Sequence, residues 1–267
     1  MSFEGAGKSN ILGVVALLLV CGGAVFLLFP VALKATEWIV YSIFPSQERA
    51  MRYGDRHFNA ISPRMYDFEL AANFFNEANS FDASHPNLSH QLARVAFLRG
   101  DNRLALFYIN KQIRDHGALL PNSFYMRGLI KGYAGLYDSA AEDYEVFLEH
   151  SPDNWAGITD YAWVLLKAGR FAEAAGATER GLSIFPDNAW LLNTSAIALY
   201  ELGEYEKALE RAQKAVDAAD RVTEEMWLTA YPGNDPRIAE EGVATLRKSA
   251  RDNMHKIEAK VGSSTVQ

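Results

Sequence analysis

The stretch WAGITDYAWVLLKAGRFAEAAGATERGLSIFPDN, residues 155–188, decides how this chain folds. Gly169 sits between two apolar runs, and Pro186 follows the second. A glycine there enters positive φ at no steric cost and ends a helix. A proline stops the next helix, because it lacks an N–H and restricts the residue before it. The stretch therefore reads as two helices joined by a short turn. Its pattern returns every 34 residues: Gly135, Gly169 and Gly203; Tyr137, Phe171 and Tyr205; Ala140, Ala174 and Ala208; Gly128, Ala162 and Ala196. Pro152-Asp153-Asn154 likewise returns as Pro186-Asp187-Asn188. Three units follow, 121–154, 155–188 and 189–222. An earlier one, 86–120, keeps Ala93, Gly100 and Ala105 in register, with one extra residue before Pro121.

Each recurrence has a physical reason. Small residues on the first helix and alanines on the second let the two backbones approach closely. The aromatic two residues after the glycine fills the space beside the turn. Each pair exposes an apolar face that only the next pair can cover, so stacked pairs share one continuous core. The fold class expected is an all-α solenoid of helix-turn-helix repeats, with an N-terminal transmembrane helix and a C-terminal capping helix.

With its small residue, Gly-x-aromatic turn, alanine and proline, the opening stretch resembles a tetratricopeptide repeat. AWLLNTSAIALYELGEYEKALERAQKAVDAAD, 189–220, is similar, with Asp220 in place of the proline. The resemblance covers about 86–222, half of the chain. Upstream, YDFELAANFFNEANSFDAS places Phe68, Ala71, Phe75 and Ala78 at second-helix spacing, which gives a degenerate first repeat at 66–85. Thr178 and Gly181 stand where bulkier or alanine side chains are usual, and are expected to loosen their repeat. The resemblance implies a concave groove lined by the first helices. By repeat position its walls are His90 and Arg94; Tyr125, Leu129 and Tyr133; Thr159, Trp163 and Leu166; and Trp190, Asn193, Ile197 and Tyr200. Of the Lys, Arg and Asn clamp by which some such repeats hold acidic C-termini, only Arg94 and Asn193 are matched. An apolar or amphipathic peptide is the expected ligand.

Beyond the repeats, in the segment 223–259, Asp235 reads as an N-cap and Pro236 as the first helical residue. Glu240 and Glu241 come early and basic residues later, which suits the helix dipole. Ile238, Leu246, Ala250, Met254 and Ile257 form an apolar stripe, so 236–259 is expected to cap the last repeat. The polar tail 260–267 is expected to be disordered.

The N-terminal side has a different character. From Ile11 to Leu33 no residue is charged, and about 20 apolar residues suffice to cross a bilayer as a helix. Residues 11–33 are thus expected to span a membrane, after a short tail at 1–10. The run exceeds the 7–15 apolar residues of a cleaved signal, so an uncleaved anchor is expected. Trp38 and Tyr41, in the juxtamembrane segment 34–65, suit the membrane interface. Gly7-Lys8-Ser9 imitates the end of a phosphate-binding loop. However, Ser2 stands where its first glycine belongs, and no strand precedes it.

Composition excludes other classes. A net charge of −7 argues against nucleic acid as a partner. Cys21, the only cysteine, lies inside the expected span, so no cysteine-based metal site or disulfide framework exists beyond it. The six histidines form no metal-binding motif, and no nucleophile motif occurs. No catalytic residue, metal or cofactor is expected, and Glu224-Glu225 and Glu240-Glu241 read as solvated helix surface. Lys8 before the span nearly balances Lys34 and the more distant Arg49, Arg52 and Arg56 after it. The missing cysteines tip the repeats toward the outside of the cytoplasm, the periplasmic side in a bacterium. The expected function is a membrane-anchored scaffold whose partners are other proteins and, through its N-terminal helix, the lipid bilayer; it would assemble or stabilise a membrane or envelope complex. A structural accessory subunit bound through its membrane helix is the alternative, and a nucleotide-dependent regulator comes third.

Overall fold

The computed structural model describes residues 30–59, 63–117, 120–231 and 235–264. The tail with Gly7-Lys8-Ser9 and the expected span as far as residue 29 lie outside the described residues. Among the described residues no helix is long and apolar enough to cross a membrane.

The described residues are helical, without a strand. Helix α1 is described over 30–43. It is followed by α2 (Gln47–His57), α3 (Phe68–Phe81), α4 (Leu88–Leu98), α5 (Asn102–His116), α6 (Asn122–Tyr133) and α7 (Tyr137–His150). Then come α8 (Trp155–Lys167), α9 (Phe171–Ile184), α10 (Ala189–Glu201), α11 (Tyr205–Arg221), α12 (Glu224–Ala230) and α13 (Ala239–Ser264), the last after a 3₁₀ turn at Pro236–Ile238. Helices α2 to α11 pack as five antiparallel pairs, and α13 lies along α11 and the end of α10.

The pair turns are built by the glycines. Gly100, Gly135, Gly169 and Gly203 have φ of 76°, 80°, 76° and 81°. After α8, the Gly169 N–H donates to Leu166 O at 3.1 Å and the Arg170 N–H to Leu165 O at 2.9 Å. This Schellman pair satisfies carbonyls that a helix end would otherwise leave bare. Asn154 and Asn188 then cap α8 and α10, accepting from Gly157 N at 2.8 Å and Leu191 N at 3.0 Å. The prolines at 152 and 186 stand two residues beyond the last residues of α7 and α9.

Three features depart from the sequence reading. The first repeat is α2 with α3, so its first helix lies within the segment read as juxtamembrane. Gly54 of α2 takes the small-residue role, because a Cβ there would meet the Phe75 ring at 2.4 Å. Helix α13 runs to Ser264, so the chain is still helical at 260–264, where a disordered tail was expected. Tyr41, expected at a membrane interface, is only 5% exposed. Its ring meets Phe74 edge-on at 5.6 Å and its hydroxyl donates to Glu77 at 3.2 Å. Trp38 is half-exposed and its other side lies against Phe74 at 5.5 Å.

Ion pairs fasten α1 to the first repeat. Glu37 is buried against Arg56, and its Oε2 lies 2.6 Å from His57 Nε2. Lys34 meets Asp67 at 2.9 Å.

Gly181 does not loosen its repeat. Ile158 and Leu191 close over it, so that an added Cβ would lie 3.0 Å from Ile158 Cγ2 and 2.8 Å from Leu191 Cδ1. The neighbouring Thr178 is fully buried, its hydroxyl donating to Ala175 O at 2.9 Å. Alanine favours helix over glycine by about 1 kcal/mol, whereas overpacking costs about 1–3 kcal/mol. Gly181→Ala is therefore expected to lower stability in thermal unfolding. A rise in Tm would mean that Leu191 has room to move.

Candidate functional site: the concave groove

The first helices of the pairs, α2, α4, α6, α8 and α10, face one side of the stack. The segment around α12 lies against the same side and divides it into two hollows of about 610 and 580 Å³. Tyr125, Leu129 and Tyr231 border both.

The first hollow is bounded by α2, α4, α6 and α12. Arg94 lies over the Phe58 ring at 4.2 Å and donates to Gln91 at 2.9 Å. Burial pulls its guanidinium below the usual range, opposed by Tyr66 and Asp55 nearby. His90, pushed down to about 4 by burial and then by Arg94, is neutral at physiological pH. Its Nδ1 lies 3.2 Å from the Ser123 hydroxyl. Tyr66 is pushed up to about 12 by burial and then by Asp235, the residue that caps the 3₁₀ turn before α13.

The second hollow is aromatic. Tyr133 meets Trp163 at 5.7 Å, and Trp190 meets Tyr231 at 6.0 Å. Tyr133 is 66% exposed. Asp160 of α8 stands at the base, where the Tyr125 hydroxyl donates to Oδ2 at 2.6 Å. Its carboxyl is partly reachable from the hollow, but so much protein surrounds it that desolvation raises it to about 6, against the lowering effect of Tyr125. The buried Tyr144 hydroxyl, itself raised by burial and then by Asp160, has no hydrogen-bond partner among the described residues.

The residues singled out in the sequence divide accordingly. Arg94 and His90 line the first hollow, and Tyr133, Thr159, Trp163, Trp190 and Asn193 the second. Leu166, Ile197 and Tyr200 border neither. Helix α13 covers this end: Lys256 sits 4.2 Å from the Tyr200 ring, and Asn253 donates to Asn193 at 2.9 Å. Asp160, Trp227 and Tyr231 are among the wall residues that went unread. Asp160 occupies the register position of Met126 and Thr194, and that comparison would have marked it. Trp227 and Tyr231 lie beyond the four units that the 34-residue period marks, which end at 222. Trp227 is held by the close approach of α13, since a Cβ on Gly242 would lie 2.2 Å from its indole. Among the described residues no group of three His, Cys, Asp or Glu side chains could hold a metal ion.

Residues 125–189 and 165–230 each match a family model described as tetratricopeptide repeat. No curated protein matches the sequence. Solved structures are similar in fold. The structure described as MamA MSR-1 C2 is 20% identical, with 65% of this chain and 98% of that one covered at a TM-score of 0.55. YrrB, described as a TPR protein with an unusual peptide-binding site, is 17% identical, with 69% and 93% covered at 0.57. A MamA structure from AMB-1 is 18% identical, with 68% and 98% covered at 0.54.

Asp160 gives the groove a pH signature. Its carboxyl binds a proton more tightly in the folded chain than in the unfolded one, where it titrates near 3.8. Stability is therefore lost as pH rises through this interval to just above 6, and regained on acidification. Asp160→Asn keeps an acceptor for Tyr125 and removes the charge. It is expected to stabilise the protein by about 1–3 kcal/mol near pH 7.5, after allowance for solvent access. The gain should fall to about a third near pH 4.5 and vanish below the unfolded value of 3.8. Paired thermal melts check this, and a lower Tm for the variant at both pH values would show that the fold needs the carboxylate.

Proposed function

We propose, from the premise that residues 125–230 are tetratricopeptide repeats, that this chain is a membrane-tethered scaffold that holds a segment of a partner protein in its concave groove. One observation carries the reading: the aromatic hollow walled by Tyr133, Trp163, Trp190 and Tyr231. Exposed and half-buried aromatic rings are the side chains most often found at interface hot spots. They bury large areas at small entropic cost. YrrB, by its description, is a repeat protein of this fold with a peptide-binding site.

Tethering is supported by the uncharged run 11–33 and by the exposed Val31, Ile39, Ile43 and Phe44 on and just beyond α1. The Glu37 and Lys34 ion pairs join α1 to the first repeat, so a span continuing α1 would hold the groove at a set orientation to the bilayer. A tether of this kind raises the effective concentration of membrane-bound partners, which suits assembly or stabilisation of a membrane or envelope complex. We place the repeats outside the cytoplasm, because Cys21 is the only cysteine and falls in the span.

Tyr133→Ala removes an exposed ring and should leave Tm nearly unchanged. Partner capture from native membranes by crosslinking and mass spectrometry is expected to fall about thirtyfold, a loss of the hot-spot class. If capture persists in Tyr133→Ala and Trp163→Ala but disappears when 11–33 is exchanged for an unrelated span, the partner is held through the membrane helix instead. Sidedness has its own readout. An impermeant maleimide should label Ser264→Cys in intact cells; labelling only after lysis would place the repeats inside.

A further inference from the structure

We infer that the hollow around Asp160 is a receptor for a cation, and that its occupant is an arginine side chain on the partner segment. The inference rests on the groove reading and names the chemistry of what the groove takes.

The first argument is the exception that Asp160 makes among the inward-facing acids. Glu37 is met by Arg56 and His57, and Asp143 by Arg127 and by Lys131 at 2.7 Å. A carboxylate removed from water is costly unless paired, and those two are paired from within the chain. Asp160 has only the Tyr125 hydroxyl, with no ion pair among the described residues. The residue lines a hollow of about 580 Å³, a space large enough for a ligand.

The second argument is the charge of the walls. Asp160 and Glu241 are their charged residues, and no Lys, Arg or His lines the hollow among the described residues. An acidic C-terminus or a phosphate would meet two carboxylates and no cation there. A cation meets both, and the faces of Tyr133, Trp163, Trp190 and Tyr231 as well. Aromatic faces attract a cation through their quadrupole, and more strongly where water is excluded.

The third argument selects arginine. A guanidinium is planar, so it can stack on an indole or phenol while donating two parallel hydrogen bonds to a carboxylate. It is also less strongly hydrated than an ammonium, so less is lost when it leaves water. The hollow supplies a carboxylate at its base and rings at its sides, an arrangement a lysine would use only in part. The apolar surroundings, with Leu129 and Leu246 in the walls, fit aliphatic residues on either side of the arginine.

The test uses the full-length chain in detergent micelles, with the fluorescence of the wall tryptophans as readout. Four probes are titrated: acetyl-Leu-Arg-Leu-amide and its counterparts with citrulline, lysine or glutamate in the centre. The arginine peptide is expected to bind saturably, about tenfold tighter than the isosteric, uncharged citrulline peptide, as one good charged contact gives. Lysine should fall between them, and glutamate should be weakest. Asp160→Asn should bring arginine down to the citrulline level and leave the citrulline peptide unchanged. Equal binding of arginine and citrulline by the wild-type chain overturns the inference, as does lysine equal to arginine or no saturable arginine binding up to millimolar concentration. An arginine preference that survives Asp160→Asn also overturns it. Tyr133→Ala separates this from failure of the groove reading. If all four peptides bind alike and all weaken in Tyr133→Ala, the groove binds peptides without charge preference. If none binds and membrane partner capture is also indifferent to Tyr133→Ala, the groove reading falls too.

Discussion

A backbone turn that glycine alone makes cheaply governs the rest of this structure. At Gly100, Gly135, Gly169 and Gly203 the chain passes through positive φ, where a Cβ would cost roughly 1–2 kcal/mol. Nothing lies within 4 Å of where that Cβ would stand, so the demand is conformational and owes nothing to packing. The turn reverses the chain within a few residues and uses up the last carbonyls of the first helix. Its repetition at an even interval gives pairs of matched length, and matched pairs can stack. The four later pairs reverse at the same point, which leaves their first helices on one side.

A local constraint of this kind is legible in sequence, and the extent of that legibility follows from its range. The glycines, small residues and prolines report on their own helix ends, so the turns at Gly100, Gly135, Gly169 and Gly203 are legible from spacing. The first pair obeys the same packing, with Gly54 against Phe75, yet its α2 was not recognised. The loop between α2 and α3 is longer than the later pair turns and breaks the register. Tyr41 was read from its proximity to an apolar run, but the ring is claimed by Phe74, a partner on α3 that no periodicity connects to it.

The groove is less legible for a related reason. Repeat position says which side of a helix faces inward; it does not say what covers that side. Tyr200 holds an inward position but lies under α13, whose Lys256 sits over its ring. The stripe on α13 does not reveal how far along α10 that helix reaches. Trp227 and Tyr231 enter the wall from α12 and its end, beyond the units that the 34-residue period marks. Their placement depends on Gly242, where the missing side chain lets α13 close on the indole. Asp160 was passed over because an acid on a helix is ordinarily solvated. The departure lies in its surroundings, assembled from α6, α7, α8 and the chain after α12.

Those surroundings give the two halves of the groove different electrostatic characters. Around Arg94 the chain brings its own acid, Asp55, near enough to act on the guanidinium. Its ring partner Phe58 and the neutral His90 complete a site that is internally balanced. Around Asp160 the chain brings phenols and indoles, which lower the polarity and leave the charge unanswered. Evolution of a purely structural wall would gain from replacing such an acid, since Met126 and Thr194 fill the equivalent positions of the neighbouring repeats without one. A carboxylate held inside the chain only by the Tyr125 hydroxyl would gain a charged partner if one arrived from outside. The stability lost to a lone charge would then return on binding, with the groove's affinity set by how well a cation relieves it.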